Sequence, residues 1–402
     1  MTLTVVACEP RPEHWCLVVF RARFNSRQAA NIRVALDARL RRLLLGPLFG
    51  ARSSLIRSIP EALHREAVAA HVESIGLIAE ASLAHYQFPP EYPVWFRRTK
   101  AFDDKHSYVL RDVIVSPRSG QVWTPDGLLF VESVGSVQRM FTWGSTAADT
   151  LQRPIKHAPD HALIIACPPT GYFHFLLEIL PHLIYSLSAN HGKPTILVPD
   201  DAPAYVLTTI DALRETGAYE FDVLSADSPV LCSRLAMSTI EPHSGFVRWC
   251  DIDTIRQAVG SAPVSSRSAR RIYVSRSQEP RRSLANEVEL EEALRTIGFE
   301  IVFAENHTVA EQRAIFASSS VIVAPHGAGL SNIIWAPSDA ALVEIFPYTM
   351  FNDCYARLAR TLGLEYRYVK CSSSDGGHGC IPVQLVVDQV RMELGDGSEL
   401  GL

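Results

Sequence analysis

The chain reads V-I-V-A-P-H-G-A-G-L-S-N from Val321 to Asn332. Its first four residues form a short apolar run, which is typical of a strand buried on both faces of a parallel sheet. Pro325 ends the run, and the small residues after it predict a tight turn that leads into a helix at 330–335. The stretch therefore predicts a strand, a glycine turn and a helix N-terminus, in that order.

Such a turn can bind an anion, because the first N–H groups of a helix lack intrahelical partners and point outward. Gly327, Ala328 and Gly329 are small, and a glycine lets a phosphate approach the backbone closely. His326 would then place an imidazole beside the phosphates. The alternative is a tight turn in an α/β sheet with a histidine that only caps it, and this stretch alone leaves both open.

Strands and helices alternate around this stretch, which predicts a parallel sheet with right-handed crossovers. Asn286 with Glu289, and Thr308 with Glu311, have the spacing of capping boxes at two helix starts. The predicted strands are 271–275, 299–304, 321–324, 341–346 and 366–369, and the predicted helices are 286–297, 308–316, 352–362 and 382–394.

A second alternating region precedes this one. Its predicted strands and β-like runs are 162–166, 195–198, 221–224 and 230–240, and its predicted helices are 172–188, 204–216 and 252–259. Apolar residues become scarce in the serine-rich segment 261–269, which we interpret as a linker. The sequence therefore predicts two α/β units of similar size.

The first 155 residues have a different pattern. Helical spacing predicts a helical region up to about residue 90, including a helix at 61–84. Short β-rich runs separated by turn residues predict an antiparallel meander at 108–131. We divide the chain into a helical extension, a small antiparallel β region, two Rossmann-like units and a C-terminal tail with a helix, at 1–92, 93–155, 156–262, 263–372 and 373–402.

Composition narrows the class of protein. The chain has 402 residues, a formal net charge of -5 and eight cysteines. The negative charge argues against nucleic acid as a partner. No apolar run reaches the length of a membrane span, and the first residues lack the pattern of a signal peptide. The cysteines form no C-x-x-C pair, which favours reduced core thiols over disulfides or a zinc site. We therefore expect a cytoplasmic protein.

A basic stretch lies between Arg21 and Arg57, with nine arginines against one acid, Asp37. A basic amphipathic helix can bind an anionic membrane surface, which would place the protein at the inner face of the membrane. It can equally pack on the rest of the protein with its arginines in solvent. The sequence leaves both open.

Charged residues follow several predicted strands, at the sheet edge where open α/β sheets bind ligands. Arg276 and Arg282 can present bidentate guanidinium groups to phosphate oxygens. Glu344 can accept hydrogen bonds from ribose hydroxyls. Each of these charged residues alone has an ordinary structural explanation. A nucleotide site is favoured because all of them are expected at one edge of the sheet.

Several segments together resemble glycosyltransferase family 61. They are R-I-Y-V-S-R at 271–276, R-S-L-A-N-E at 282–287, Glu311-Gln312, the 326–332 stretch, Val343-Glu344, and Y-F-H-F-L-L-E-I-L-P at 172–181. The resemblance covers residues 105–372. His182 and Ser283 stand where the family commonly has arginine.

The resemblance implies a GT-B fold, in which two Rossmann-like domains face each other across a cleft, here with an N-terminal helical and β-meander extension. It implies an inverting, metal-independent glycosyltransferase with a nucleotide-sugar donor and a glycan or lipid-linked glycan acceptor, acting in surface polysaccharide synthesis such as that of a capsule. The residues expected at the nucleotide sugar are Arg276, Arg282, Asn286, His326, Gly327, Ala328, Gly329, Asn332 and Glu344.

The first α/β unit should then supply the acceptor side. His174, Glu178 and His182 have i, i+4, i+8 spacing and would share one face of an unbroken helix. We expect His174 to be the catalytic base and Glu178 to orient it. The alternative is a structural pair between Glu178 and His182 around Pro181.

The sequence also has other interpretations, which concern a metal site, a binding function and a different class of enzyme. Asp251-Ile252-Asp253 and Asp200-Asp201 are carboxylate pairs that could hold a metal, but acids are also favoured at a helix start, and we expect no metal site. A catalytically inactive sugar-nucleotide-binding protein or regulator is the alternative function. A dehydrogenase is disfavoured, because no G-x-G-x-x-G follows the first strand of either unit.

Overall fold

The structure is a computed structural model that describes residues 55–136, 156–159, 162–168, 170–189, 192–260, 270–278, 284–348, 350–373 and 379–393. The arginines from Arg21 to Arg52, the predicted linker 261–269 and Arg282 lie outside the described residues.

The described residues before position 240 contain twelve strands. They are β1 Leu55–Ile56, β2 Val72–Ala79, β3 Ser82–His85, β4 Thr99–Phe102, β5 Lys105–Val115, β6 Val122–Trp123, β7 Leu129–Phe130, β8 Lys156–His157, β9 Leu163–Ala166, β10 Thr195–Val198, β11 Asp222–Ser225 and β12 Val230–Ser238. Ten of them form a mixed sheet in the order β1-β7-β6-β5-β12-β9-β10-β11, with β2 on β5 and β8 on β12. β3 and β4 form a separate hairpin.

The helices of this part confirm the predicted α/β pattern of the first unit. They are Ile59–Ala62, Glu66–Ala69, a continuous helix made of Tyr172–His174, Phe175–Ile179 and Leu180–Ser188, then Ala204–Glu215 and Trp249–Ala258, with a 3-10 turn at Val131–Ser133. Strands β9, β10 and β11 are parallel neighbours, as the alternation predicted.

The antiparallel meander is confirmed, because β5, β6 and β7 pair in that direction. The meander is not a separate sheet, however. β5 also pairs antiparallel with β12 of the α/β unit, so the predicted boundary near residue 155 runs through one sheet. Sheet pairing between distant segments leaves no local pattern in the sequence, so the sequence does not show that the two regions share a sheet.

The predicted helix at 61–84 is wrong. Two one-turn helices are followed by β2 and β3. β2 pairs with β5, and this extension of an existing sheet overrides a weak helical preference.

In the part of the second unit that the structure describes, five parallel strands lie in the order β14-β13-β15-β16-β17. Their bounds are β13 Arg270–Val274, β14 Glu300–Val302, β15 Ser319–Pro325, β16 Ala341–Phe346 and β17 Glu365–Lys370, and the helices are Glu287–Thr296, Val309–Ala317, Cys354–Leu362 and Val383–Glu393, with 3-10 helices at Ala304–Asn306 and Ala328–Trp335. β15 is the central strand and is buried along almost its whole length, as its apolar run predicted.

One of the two predicted capping boxes is confirmed. Thr308 accepts from the N–H of Glu311 at 3.2 Å, and the Glu311 carboxylate accepts from the N–H of Thr308 at 2.7 Å. Asn286 makes no side-chain cap hydrogen bond to the start of its helix. Its amide instead binds Ile381, which is 95 residues away in sequence.

The two units share a hydrophobic core. One cluster includes Leu176 and Ile196 of the first unit with Ile322 and Leu342 of the second. Each of the six cysteines within the described residues is free of a disulfide. Among the helices of these residues, none combines the length and the apolar character needed to cross a bilayer.

Candidate active site

The glycine turn after β15 lies against Arg276, which follows β13. A Cβ placed on Gly327 would collide with the guanidinium end of the Arg276 side chain, so a larger residue here would require that flexible group to move. The Arg276 backbone N–H donates to Glu287 Oε1 at 2.7 Å, which fixes the start of the side chain. β13 and β15 are parallel neighbours, and their carboxyl ends therefore bring an arginine and a helix N-terminus to one place.

A cavity of about 770 Å³ lies at this edge of the sheet. Arg276, Gly327, Ala328 and Gly329 line it from the second unit, together with the loop 304–309. Tyr172, Tyr205 and Thr208 line it from the first unit. The volume is in the range of small-molecule and cofactor sites, which run from roughly 300 to 1,000 Å³. The structure thus brings four of the predicted donor-binding residues to one cavity.

A smaller cleft of about 250 Å³ adjoins the cavity and shares Tyr172, Gly327 and Ala328 with it. Its walls also come from both units. The first unit contributes His174 and Ser244, and the second contributes His326 and Tyr355. The predicted catalytic histidine and the predicted donor-side histidine therefore line the same cleft.

His174 and Glu178 form a pair at the start of the helix 172–188. Glu178 is buried, and its Oε2 lies 3.0 Å from His174 Nδ1. Its Oε1 accepts from the Ser244 hydroxyl at 2.9 Å and from the Gly245 N–H at 3.3 Å. These three contacts hold the carboxylate against the imidazole, whose side chain is about one-third exposed (35%).

This helix has an irregular first half. Residues Phe175–Ile179 form a π-helical turn between two α-helical segments, and π turns occur frequently at functional sites. His182 does not join the site. It is buried, and its Nδ1 lies 2.9 Å from the Ser238 carbonyl oxygen and 3.1 Å from the Ser238 nitrogen. Burial lowers the pKa of His182 to about 4. The alternative pairing of Glu178 with His182 is wrong, because Glu178 contacts His174 instead.

Glu344 has a different position from the one expected. It is fully buried, with Oε1 against His326 Nδ1 and Oε2 accepting from the Tyr366 hydroxyl at 2.7 Å. A carboxylate with both oxygens engaged in the core is not available to a ribose hydroxyl. Glu344 holds His326, and the sequence did not show this because a strand-end glutamate carries no signal of its partner.

Asn332 and Asn286 also lie away from the cavity walls. Asn332 is fully buried, accepts from the Tyr172 hydroxyl at 2.8 Å and donates to Gln312 Oε1 at 2.7 Å. Gln312 in turn donates to the carbonyls of Ala304 and His307, which belong to the cavity-lining loop. Asn332 therefore supports the site from behind, and Asn286 fixes the distant Ile381 backbone.

The carboxylate pairs considered as metal ligands are engaged elsewhere. Asp251 is buried against Lys105 at 2.5 Å, and Asp253 accepts from Gln257 at 2.7 Å. Asp200 accepts from Ser225 and Asp201 pairs with Arg118. Within the described ranges, no three His, Cys, Asp or Glu side chains converge as metal ligands would.

Sequence reasoning missed Tyr172, Ser244, Tyr355 and Tyr366 as parts of the site. Tyr172 is the first residue of the Y-F-H-F segment, and this segment could have indicated that Tyr172 belongs to the site. Ser244 lies in a loop, Tyr355 on the helix Cys354–Leu362 and Tyr366 on β17, and none has a recognisable motif. The tertiary structure brings Ser244 and Tyr355 to the cleft and Tyr366 to the buried Glu344.

The sequence of this chain is similar to the sequences of known proteins. Residues 172–343 match the model of the family Glycosyltransferase 61. The chain is 26% identical over 242 residues to the β-1,2-xylosyltransferase XAX1 of Oryza sativa subsp. japonica, covering 52% of this chain and 42% of that protein. It is 24% identical over 226 residues to the α-1,3-arabinosyltransferase XAT3 of the same plant, covering 49% and 39%.

A third relative is the human protein O-linked-mannose β-1,4-N-acetylglucosaminyltransferase 2, which is 33% identical over 107 residues, covering 24% of this chain and 18% of that protein. The chain thus spans less than half the length of each of these relatives. The family match includes His174, Arg276 and the glycine turn, which are the residues that line the cavity and the cleft. The matched segment and these relatives support glycosyltransferase family 61 as the family of this chain.

Proposed function

We propose that the protein is an inverting glycosyltransferase that moves a sugar from a nucleotide sugar to a hydroxyl of a glycan or lipid-linked glycan. The observation that carries the proposal is the junction of the 770 Å³ cavity with the 250 Å³ cleft. The cavity offers positive charge and a helix N-terminus to the phosphates, and the cleft offers a histidine paired with a buried glutamate. A GT-B-like arrangement of the two units is part of this proposal.

The donor binds along the carboxyl ends of β13, β14 and β15. Arg276 lies across Gly327 at the cavity wall, where its guanidinium can bind two phosphate oxygens. The N–H groups that begin the 3-10 helix Ala328–Trp335 add donors with no intrahelical partner. Arg282 belongs to the same proposal. Preorganised positive groups at the leaving phosphate stabilise the negative charge that develops there.

The acceptor reacts in the cleft. Its hydroxyl oxygen forms a bond to the anomeric carbon while the bond from that carbon to the leaving phosphate oxygen breaks. His174 takes the hydroxyl proton at Nε2, because its Nδ1 is held by Glu178. Imidazole suits this step since it exchanges protons near neutral pH. The nucleoside diphosphate leaves with the electron pair of the broken bond, so atoms and charge balance without another reactant.

The names of the relatives guide our choice of candidate donor sugars. The relatives are named for transfer of xylose, arabinose and N-acetylglucosamine. We therefore place pentose and N-acetylhexosamine nucleotides first among candidate donors. The proposal also includes the setting of the reaction, which is surface polysaccharide synthesis. The arginines between Arg21 and Arg57 would hold the protein at a membrane.

A panel of sugar nucleotides tests the proposal. The purified chain is mixed with uridine-, guanosine- and cytidine-linked sugars, including UDP-xylose, UDP-arabinose and UDP-N-acetylglucosamine, with and without a mixture of glycan acceptors. We expect at least one of them to raise the melting temperature and to release nucleotide when an acceptor is present. Stabilisation with no nucleotide release from any donor and acceptor would instead indicate a sugar-nucleotide-binding protein without turnover.

A further inference from the structure

His326 is held by two buried groups that do not reach the cleft. Its Nδ1 contacts Glu344 Oε1, and the other Glu344 oxygen accepts from the Tyr366 hydroxyl at 2.7 Å. Glu344 and Tyr366 are both completely or almost completely buried, at 0% and 1% exposure. The His326 backbone N–H donates to the Ile345 carbonyl at 2.8 Å, and its ring stacks on Phe346 at 5.5 Å. Backbone and ring are therefore both fixed.

The hydrogen-bond pattern decides which atom of His326 faces the ligand. Burial next to Glu344 raises the pKa of Tyr366 far above its ordinary value, so the hydroxyl keeps its proton and donates it. An ionised carboxylate can only accept hydrogen bonds. The proton on a neutral His326 therefore lies on Nδ1, and Nε2 carries a lone pair. Since Nδ1 is occupied, Nε2 is the ring nitrogen left for the cleft that His326 lines.

A lone pair at Nε2 distinguishes between two parts of a nucleotide sugar. A phosphate oxygen cannot form a hydrogen bond with this lone pair, because both atoms are acceptors. A sugar hydroxyl can donate to Nε2. The cleft has the volume of about eight liquid waters, which gives room for one sugar ring. It is adjacent to the wall of Gly327 and Ala328, which the cleft shares with the larger cavity.

We propose that His326 recognises a hydroxyl group of the donor sugar, and that Glu344 and Tyr366 are positioning residues that fix its tautomer. The inference rests on the proposed function and refines it, because it moves His326 from the phosphates to the sugar. Recognition of the phosphates then falls to Arg276 and the backbone of the glycine turn. The choice of donor sugar would depend on His326, and the affinity for the bare nucleotide would not.

Calorimetric titration with two ligands tests this assignment. The probes are UDP and UDP-xylose, or the nucleotide and sugar nucleotide that the panel identifies. For His326→Ala we expect binding of the sugar nucleotide to weaken roughly tenfold, the upper range for one neutral hydrogen bond, with less than a twofold change for the bare nucleotide. His326→Gln keeps an acceptor near the position of Nε2 and should recover part of the loss. His157→Ala, at an exposed position on β8, is the matched control.

The test of Glu344 and Tyr366 as positioning residues must measure a property that a purely structural role would not change. Nitrogen-15 spectra of histidine-labelled wild-type protein should show the His326 proton on Nδ1. In Glu344→Gln the amide can also donate, so we expect a mixture of tautomers and a loss confined to the sugar nucleotide. Tyr366→Phe should give a weaker change in the same direction. Melting temperatures show whether each variant is folded at the temperature of the titration.

The possible outcomes distinguish a wrong assignment of His326 from a wrong proposed function. Equal losses for both ligands in His326→Ala would place His326 at the phosphates and overturn the inference, as would no loss for either ligand. A wild-type spectrum with the proton on Nε2 would overturn it as well. If no sugar nucleotide in the panel binds the wild-type protein, the proposed function fails first.

Discussion

His174 and His326 line one cleft from different units of the chain, and each contacts a buried glutamate through Nδ1. The two pairs are built differently. The carboxylate beside His174 is one helical turn away, whereas the one beside His326 comes from the neighbouring strand β16. In both arrangements Nδ1 is the ring nitrogen that the carboxylate engages. In the proposed reaction one imidazole accepts the acceptor proton and the other binds the donor sugar.

Replacement of Arg276 tests the donor site. If its guanidinium binds the phosphates, Arg276→Ala should weaken donor binding by roughly 1.5–3 kcal/mol, the range for hydrogen bonds to charged groups. The melting temperature should change little, because the side chain lies at a cavity wall. Calorimetry with the bare nucleotide measures the effect. An unchanged affinity would remove Arg276 from the site.

Gly327→Ala provides a second test of the same contact. The new methyl group would meet the Arg276 guanidinium and displace it, so donor affinity should fall although no charged group is lost. Because both changes act on one contact, their effects should not add. The double variant should therefore bind the donor about as weakly as Arg276→Ala alone. Additive losses would show that Gly327 acts independently of Arg276.

Acid should destabilise the fold through His182. Burial lowers its pKa from 6.5 to about 4 in the folded state. Between these values the unfolded chain binds a proton that the folded chain does not, so the free energy of unfolding falls as the pH falls from 6.5 to 4. A pKa difference of this size corresponds to roughly 3 kcal/mol.

The comparison needs a variant that lacks this titration. Burial raises the pKa of Glu132 to about 7, so its contribution to stability is instead lost as the pH rises from 4.5 through 7. Subtracting the urea-unfolding curves of His182→Gln from those of the wild type removes this opposite trend. A pH-independent difference between the two proteins would show that His182 is not held neutral.

Activity should persist in excess chelator. Arg276 and backbone N–H groups fill the phosphate-binding roles in the proposal, and the Asp251 side chain is paired with Lys105. Nucleotide release is measured before and after treatment with EDTA. Loss of activity that manganese or magnesium restores would show that a divalent ion takes part, and would require a search for its ligands.

Much of the second unit could be predicted from the sequence. The apolar run of β15, the glycine turn and the Thr308 capping box are local patterns, and each has a local physical cause. The meeting of Arg276 with the glycine turn could also be expected, since carboxyl ends of parallel strands share one edge. These features depend on sequence order and on short-range chemistry.

The remaining features depend on partners far along the chain. Glu344 was assigned to a ribose, but Tyr366 and His326 enclose it, and no pattern in β16 shows that enclosure. Asn286 binds the backbone of Ile381, across 95 residues. The β2 segment becomes a strand only because β5 offers an edge to pair with. Long-range contacts of this kind leave no periodic signal, so the sequence could bring candidate residues to one sheet edge without showing the partner of each.

The central claim is tested most directly by measuring nucleotide release with wild type, Arg276→Ala and His174→Ala side by side, at saturating acceptor and over a range of donor concentrations. The account predicts that Arg276→Ala raises the donor concentration needed for half-maximal rate. His174→Ala should bind the donor normally and lose about 10² to 10⁴ in kcat, the usual contribution of a general base, with a smaller loss in Glu178→Gln. Near-normal turnover by a His174→Ala protein that has only lost thermal stability would contradict the account.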